Sequence, residues 1–149
     1  HKVNDEITFD EMLIAVSEEL SPYVDQRLVI QEDLKRREKL GSQIFPDMGI
    51  ALFHARTDGV GKPVFSVCQT KDGSPFKAAE FRGICAALVM LVPKDGQVRE
   101  NSDILGVLSE RLVEEDAFLE AVRHGQKEEI RRFVSKYLNQ YFKQFLDSM

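Results

Sequence analysis

MGIALFHARTDGVGKPVFSV, residues 48–67, is the stretch on which the fold turns. Two short apolar runs, IALFHA and PVFSVCQT, stand either side of a polar segment that holds Gly59 and Gly61. Runs of this length bounded by glycine, proline and aspartate read as strands. A third run, ICAALVMLV from Ile84 to Val92, is apolar at nearly every position. That is the pattern of a central strand covered on both faces, and the run is far too short to span a bilayer. DGVGKP contains glycines but leads into no helical pattern, so it reads as a turn and not as a phosphate-cradling loop.

Outward from this region the period changes. TFDEMLIAVSEEL opens with the capping-box pair Thr8 and Glu11. Phe9, Met12, Leu13, Val16 and Leu20 then follow helical spacing. Pro22 and Asp25 mark a turn. A second helix is expected from about Gln26 to Leu40, with Gly41 taking the left-handed position past its end. Beyond PKDGQVRENSD, Ile104, Leu108 and Leu112 fall at four-residue steps, with Asn101, Ser102 or Asp103 available as the cap. A break at Glu114–Asp116 precedes a short helix that ends near His124-Gly125. In the last helix Ile130, Phe133, Val134, Tyr137, Leu138, Tyr141, Phe142, Phe145 and Leu146 form a broad apolar stripe, read as core packing. Helices at both ends with strands between them predict an α/β fold: a single domain, residues 1–149, with a small mixed sheet flanked by helices.

The composition agrees with that size and class. The chain has 149 residues, 43% of them hydrophobic and 30% charged, enough to bury about two thirds of its unfolded surface. A net charge of −5 argues against wrapping nucleic acid or lying on an anionic membrane. The densest basic cluster, Lys35-Arg36-Arg37-Glu38-Lys39, reads as a solvated helix face. Cys68 and Cys85 sit inside apolar runs without a Cys-x-x-Cys or a nearby histidine, so free thiols in a reducing cytoplasm are expected. No metal and no cofactor is implied. HKVNDEITFD has neither an initiator methionine nor an apolar signal region, which reads as a domain cut from a longer chain.

Three histidines are candidates for chemistry. His1 is terminal. His124 precedes a glycine at a helix end, where a cation suits the macrodipole. His54 differs, because it closes an apolar strand and opens a polar loop, a place where a side chain is held firmly and left accessible. Residues two apart on a strand share a face, which puts Arg56 beside it. A neutral imidazole next to guanidinium groups suits a phosphoryl acceptor: the ring nitrogen attacks while the arginine fork neutralises the oxyanions. A hydrogen-bonded surface histidine is the alternative on spacing alone. Neither a Walker-type loop nor a Gly-x-Ser-x-Gly elbow is present.

GIALFHAR, Gly49–Arg56, resembles the phosphorylation-site motif of the mannitol/fructose-type enzyme IIA domains of the bacterial sugar phosphotransferase system. The resemblance continues through LKRREKLGSQIFPDMGIA before it and through FRGICAALVMLVPKDG and ILGVLSERLVEEDAFLEAVRHGQKEEI after it. It implies that His54 accepts phosphate from the phosphocarrier HPr on the ring nitrogen remote from the backbone. It implies also that Arg37 stabilises the phosphorylated site. Arg56 as a second phosphate contact is inferred from strand alternation.

Two positions depart from the transport members of that family. Phe53 stands where they carry proline, and Asn101 aligns with a second active-site histidine. Both departures resemble the enzyme IIA-like domains of multidomain sugar-operon regulators, those of the mannitol operon above all. The implied role is a regulatory phosphoacceptor working with HPr and with other domains of the same chain. The alternatives are a transport component that passes phosphate to enzyme IIB, and a binding module that is never phosphorylated. An exposed Phe53 is expected to belong to the HPr contact surface.

Overall fold

In the computed structural model, which describes residues 2–81, 83–95 and 98–147, Thr8 caps the first helix as its sequence dictates. Its hydroxyl accepts the Glu11 N–H at 3.2 Å, and the Glu11 carboxylate accepts the Thr8 N–H at 3.1 Å. This helix, α1, runs Phe9–Leu20, and α2 follows over Val24–Glu38. α2 thus begins two residues earlier than expected, capped by Tyr23 without a side-chain hydrogen bond, because the apolar Val24 gives no local signal of a helix start. Gly41 lies beyond its end at φ +141°. It is a left-handed conformation, although not the helical one anticipated.

The chain divides into two compact units, His1–Gly96 and Gln97–Met149. The first holds a five-stranded mixed sheet in the order β1-β4-β5-β3-β2. The strands are β1 Lys2–Val3, β2 Gln43–Phe45, β3 Ile50–Thr57, β4 Val64–Thr70 and β5 Ala86–Pro93. β5 is central as expected, parallel to β3 from Ile50↔Ala86 to Thr57↔Pro93 and antiparallel to β4. β1 adds to the far edge, parallel to β4. The sequence reading missed β1 and β2, whose two and three residues are too short to show an alternation.

β2 and β3 form a hairpin with Gln43↔Leu52 and Phe45↔Ile50 in register. The turn between them closes at Gly49, whose φ of +71° an L side chain resists. The Gly49 carbonyl then accepts the N–H groups of Cys85 and Ala86 at 2.9 and 3.3 Å, which tethers the start of β3 to the start of β5.

α1 and α2 cover one face of this sheet. Met12, Leu13, Val16, Ile30 and Leu34 pack on Ala51, Phe53, Ala55, Cys68, Ala87, Val89 and Leu91. Phe53 is only 3% exposed, its ring 5.0 Å from that of Phe9 and 6.1 Å from that of Phe81. The expectation that Phe53 is exposed and offered to a partner is therefore corrected. Strand alternation turns it to the face opposite its neighbour His54 and into the core. Both cysteines are free, Cys68 buried and Cys85 half-buried. Burial pushes the Cys68 thiol up to about 12.

The second unit is helical: α3 Val98–Glu114, α4 Asp116–His124 and α5 Lys127–Asp147. α3 starts before Asn101, so Asn101, Ser102 and Asp103 are helical residues and not its caps. Three cap-forming residues in a row signal a helix start locally, whereas the helix continues through them with Asn101 buried. The aromatic stripe of α5 packs as expected, with the Tyr137 ring 5.1 Å from Phe118 and 6.1 Å from Phe133. Phe142 is exposed, and the side chains of Phe145 and Leu146 lie outside the described residues. Among the described residues, five α-helices occur in all, and no helix is long and apolar enough to cross a membrane.

Candidate functional site

His54 sits on β3, two residues past the point where β2 stops pairing with it. On its other side β3 stays paired to β5, with His54 opposite Met90. The strand therefore fixes the backbone of His54 from one side and leaves the other edge open. Its side chain is half-buried, on the sheet face shared by Ile50 and Leu52.

Arg37 occupies the last turn of α2. Its Nη1 donates to the Gly41 carbonyl at 3.2 Å. Gly41 lies two residues before Gln43, the residue at which the pairing of β2 with β3 ends opposite Leu52. The charge of the Arg37 guanidinium bears on the His54 imidazole. Burial first, and Arg37 second, keep the His54 pKa below its ordinary 6.5. Both causes disfavour the imidazolium, so the ring is neutral at pH 7 with one nitrogen lone pair free.

Arg56 is exposed and shares the His54 face by alternation. The structure thus brings Arg37 to His54 electrostatically and places Arg56 beside it on the strand. The remaining cations of the basic cluster behave as a solvated face: Arg36 pairs with Asp33 at 2.8 Å, and Lys35 with Asp10 at 3.7 Å. His124 is exposed at the end of α4, and His1 lies outside the described residues. Among the described residues no cluster of three or more histidine, cysteine or acidic side chains could hold a metal ion.

Sequence reasoning missed that the Gly41 carbonyl accepts from Arg37, and it missed the placement of Gln43. The Gln43 Oε1 is buried without a hydrogen-bond partner, on the face that His54 uses. Its pairing became visible only with β2, for which three residues gave no signal.

The family described as "Phosphoenolpyruvate-dependent sugar phosphotransferase system, EIIA 2" matches residues 6–137 of the chain. Among solved structures, nitrogen regulatory protein IIA-Ntr from Neisseria meningitidis is similar at 21% identity and a TM-score of 0.66, over 90% of this chain and 89% of that one. IIA mannitol from Escherichia coli is similar at 20% identity and a TM-score of 0.56, over 90% and 92% of the respective chains. At such identities these likenesses bear on the fold, and they agree with the α/β sheet described above. No curated protein matches the chain.

Proposed function

The chain belongs to the EIIA 2 family of the phosphoenolpyruvate-dependent sugar phosphotransferase system, and from that premise we propose that it is a regulatory phosphoacceptor, phosphorylated by HPr on His54. The observation that carries this reading is the neutral, half-buried imidazole of His54 under the charge of Arg37. A lone pair is present for attack, and a positive charge stands ready for the group that arrives.

In the transfer, the free ring nitrogen of His54 forms a bond to phosphorus as the bond from phosphorus to the carrier breaks. The bonding pair leaves with the carrier, and no proton need be removed from a neutral ring. Arg37 and Arg56 neutralise the phosphoryl oxygens, Arg37 from α2 and Arg56 from the strand itself. The cytoplasm, where the phosphocarrier works, is the setting of this proposal.

The regulatory role rests on what stands at two positions. Asn101 stands, by the resemblance, where transport members carry a second histidine, and an asparagine carries no positive charge. Phe53 replaces the proline before the phosphorylated histidine and anchors β3 in the core through Phe9 and Phe81. A dianion appearing at the arginine-flanked site then reorganises contacts with other domains of a sugar-operon regulator, most like that of the mannitol operon.

The test is retention. The domain is phosphorylated with phosphoenolpyruvate, enzyme I and HPr, freed of them, and mixed with a mannitol-type enzyme IIB. Phosphate that stays on the domain over minutes supports a regulatory acceptor. Phosphate that drains at once makes the chain a transport component.

A further inference from the structure

Resting on the reading of His54 as phosphoacceptor, we propose that the side-chain amide of Gln43 is a positioning group for it: Gln43 Oε1 accepts the Nδ1–H of the neutral imidazole and leaves the Nε2 lone pair free. The placement follows from the sheet. Paired residues of an antiparallel ladder share a face, so Gln43 lies on the same side as its partner Leu52. Leu52 and His54, two apart on β3, share that side as well. Gln43 is therefore the diagonal neighbour of His54, and such neighbours lie within reach of long side chains.

Donor and acceptor needs complete the argument. A neutral imidazole has one N–H and one lone pair, and which nitrogen keeps the lone pair is set by the partner of the other. Arg37 and Arg56 carry only donors and cannot accept the N–H. Gln43 brings the missing acceptor, since its Oε1 is buried without a hydrogen-bond partner. A buried acceptor left unpaired costs free energy that an N–H from the adjacent ring relieves. The next residue, Ile44, points the other way and packs against the core, so Gln43 is the polar residue that β2 turns to the His54 side. Nδ1 is the nitrogen near the strand, within reach of a neighbouring strand's side chain. Nε2 projects outward to the incoming group.

The experiment is two-bond 15N–1H correlation of the imidazoles in the uniformly labelled chain at pH 7.5, with His54 assigned by its loss in H54A. The wild type should show the Nδ1–H tautomer alone. Gln43→Met, similar in length but without an acceptor, should shift His54 towards Nε2–H and slow phosphorylation by phospho-HPr about tenfold, the worth of one ordinary hydrogen bond. Gln43→Glu keeps an acceptor and should retain Nδ1–H. An Nε2–H or mixed tautomer in the wild type overturns the proposal, as does a Gln43→Met spectrum or rate that matches wild type. Should Gln43→Met fail to fold, the wild type and Gln43→Glu decide the matter. The tautomer is read without HPr, so a His54 that takes no phosphate would sink the functional reading and leave this one standing.

Discussion

Arg37 and His54 are coupled through charge: after burial, the charge of Arg37 is what holds the imidazole below its ordinary proton affinity. They come from different elements, the last turn of α2 and the middle of β3. The Gly41 carbonyl accepts from Arg37 Nη1 at 3.2 Å and so restrains the guanidinium.

Replacing Arg37 with alanine should raise the His54 pKa and slow phosphorylation by HPr roughly a hundredfold, as loss of one charge clamp on a transferring group does. Arg37 is half-buried and outside the packed core, so the melting temperature should stay close to wild type. Titration of His54 by NMR, with a melt of the same sample, checks both. A protein that unfolds would show Arg37 to be structural.

Acid should weaken the fold through His54. Its pKa lies below 6.5 when folded and returns there on unfolding, so the unfolded chain binds more protons in the window between the two values. The contribution of His54 to stability is complete above pH 6.5 and is lost as pH falls through the folded pKa. Urea unfolding of wild type and His54→Asn from pH 7.5 down to pH 5.5 should show a steeper loss in the wild type. Parallel profiles would contradict the assignment.

Gly59 is a close approach and Gly61 is open space. A Cβ on Gly59 would meet Ile30 Cγ1 at 2.5 Å and the Gln26 carbonyl at 3.0 Å, whereas one on Gly61 meets nothing within 4 Å. Gly59→Ala should cost about 1–3 kcal/mol through overpacking of the loop against α2. Gly61→Ala should be neutral or slightly stabilising. Denaturant midpoints of the two variants make the comparison, and equal midpoints would refute it.

Phe53→Ala should destabilise the protein by about 3–5 kcal/mol, the usual cost of emptying a buried phenylalanine site. The ring packs on Phe9 and Phe81. A loss under about 1 kcal/mol in urea unfolding would mean that the aromatic cluster does not anchor β3.

Much of this was legible in the chain because long elements announce themselves. The capping box at Thr8 marks a helix start, the eight residues of β5 are an almost unbroken apolar run, and the stripe of α5 keeps helical spacing along a long helix. His54 stands out because the apolar run ends near it, although the strand does not close there as expected: β3 continues to Thr57, paired to β5 throughout. Two- and three-residue strands carry no period, so β1 and β2 were invisible, and with β2 the placement of Gln43 was lost. The local cap residues around Asn101 pointed to a helix start that the helix passes through. Phe53 adjoins His54 in the motif, but the strand period of two turns it the opposite way and into the core. The alternation that puts Arg56 on the His54 side puts Phe53 on the other.

The central claim is that His54 accepts the phosphoryl group, and intact mass tests it most directly. The wild-type chain and His54→Ala are each incubated with phosphoenolpyruvate, enzyme I and HPr, with HPr omitted from a control. The account predicts one acid-labile phosphoryl group on the wild type, dependent on HPr and missing from the variant. An unmodified wild type, or a variant that still gains the mass, would contradict it.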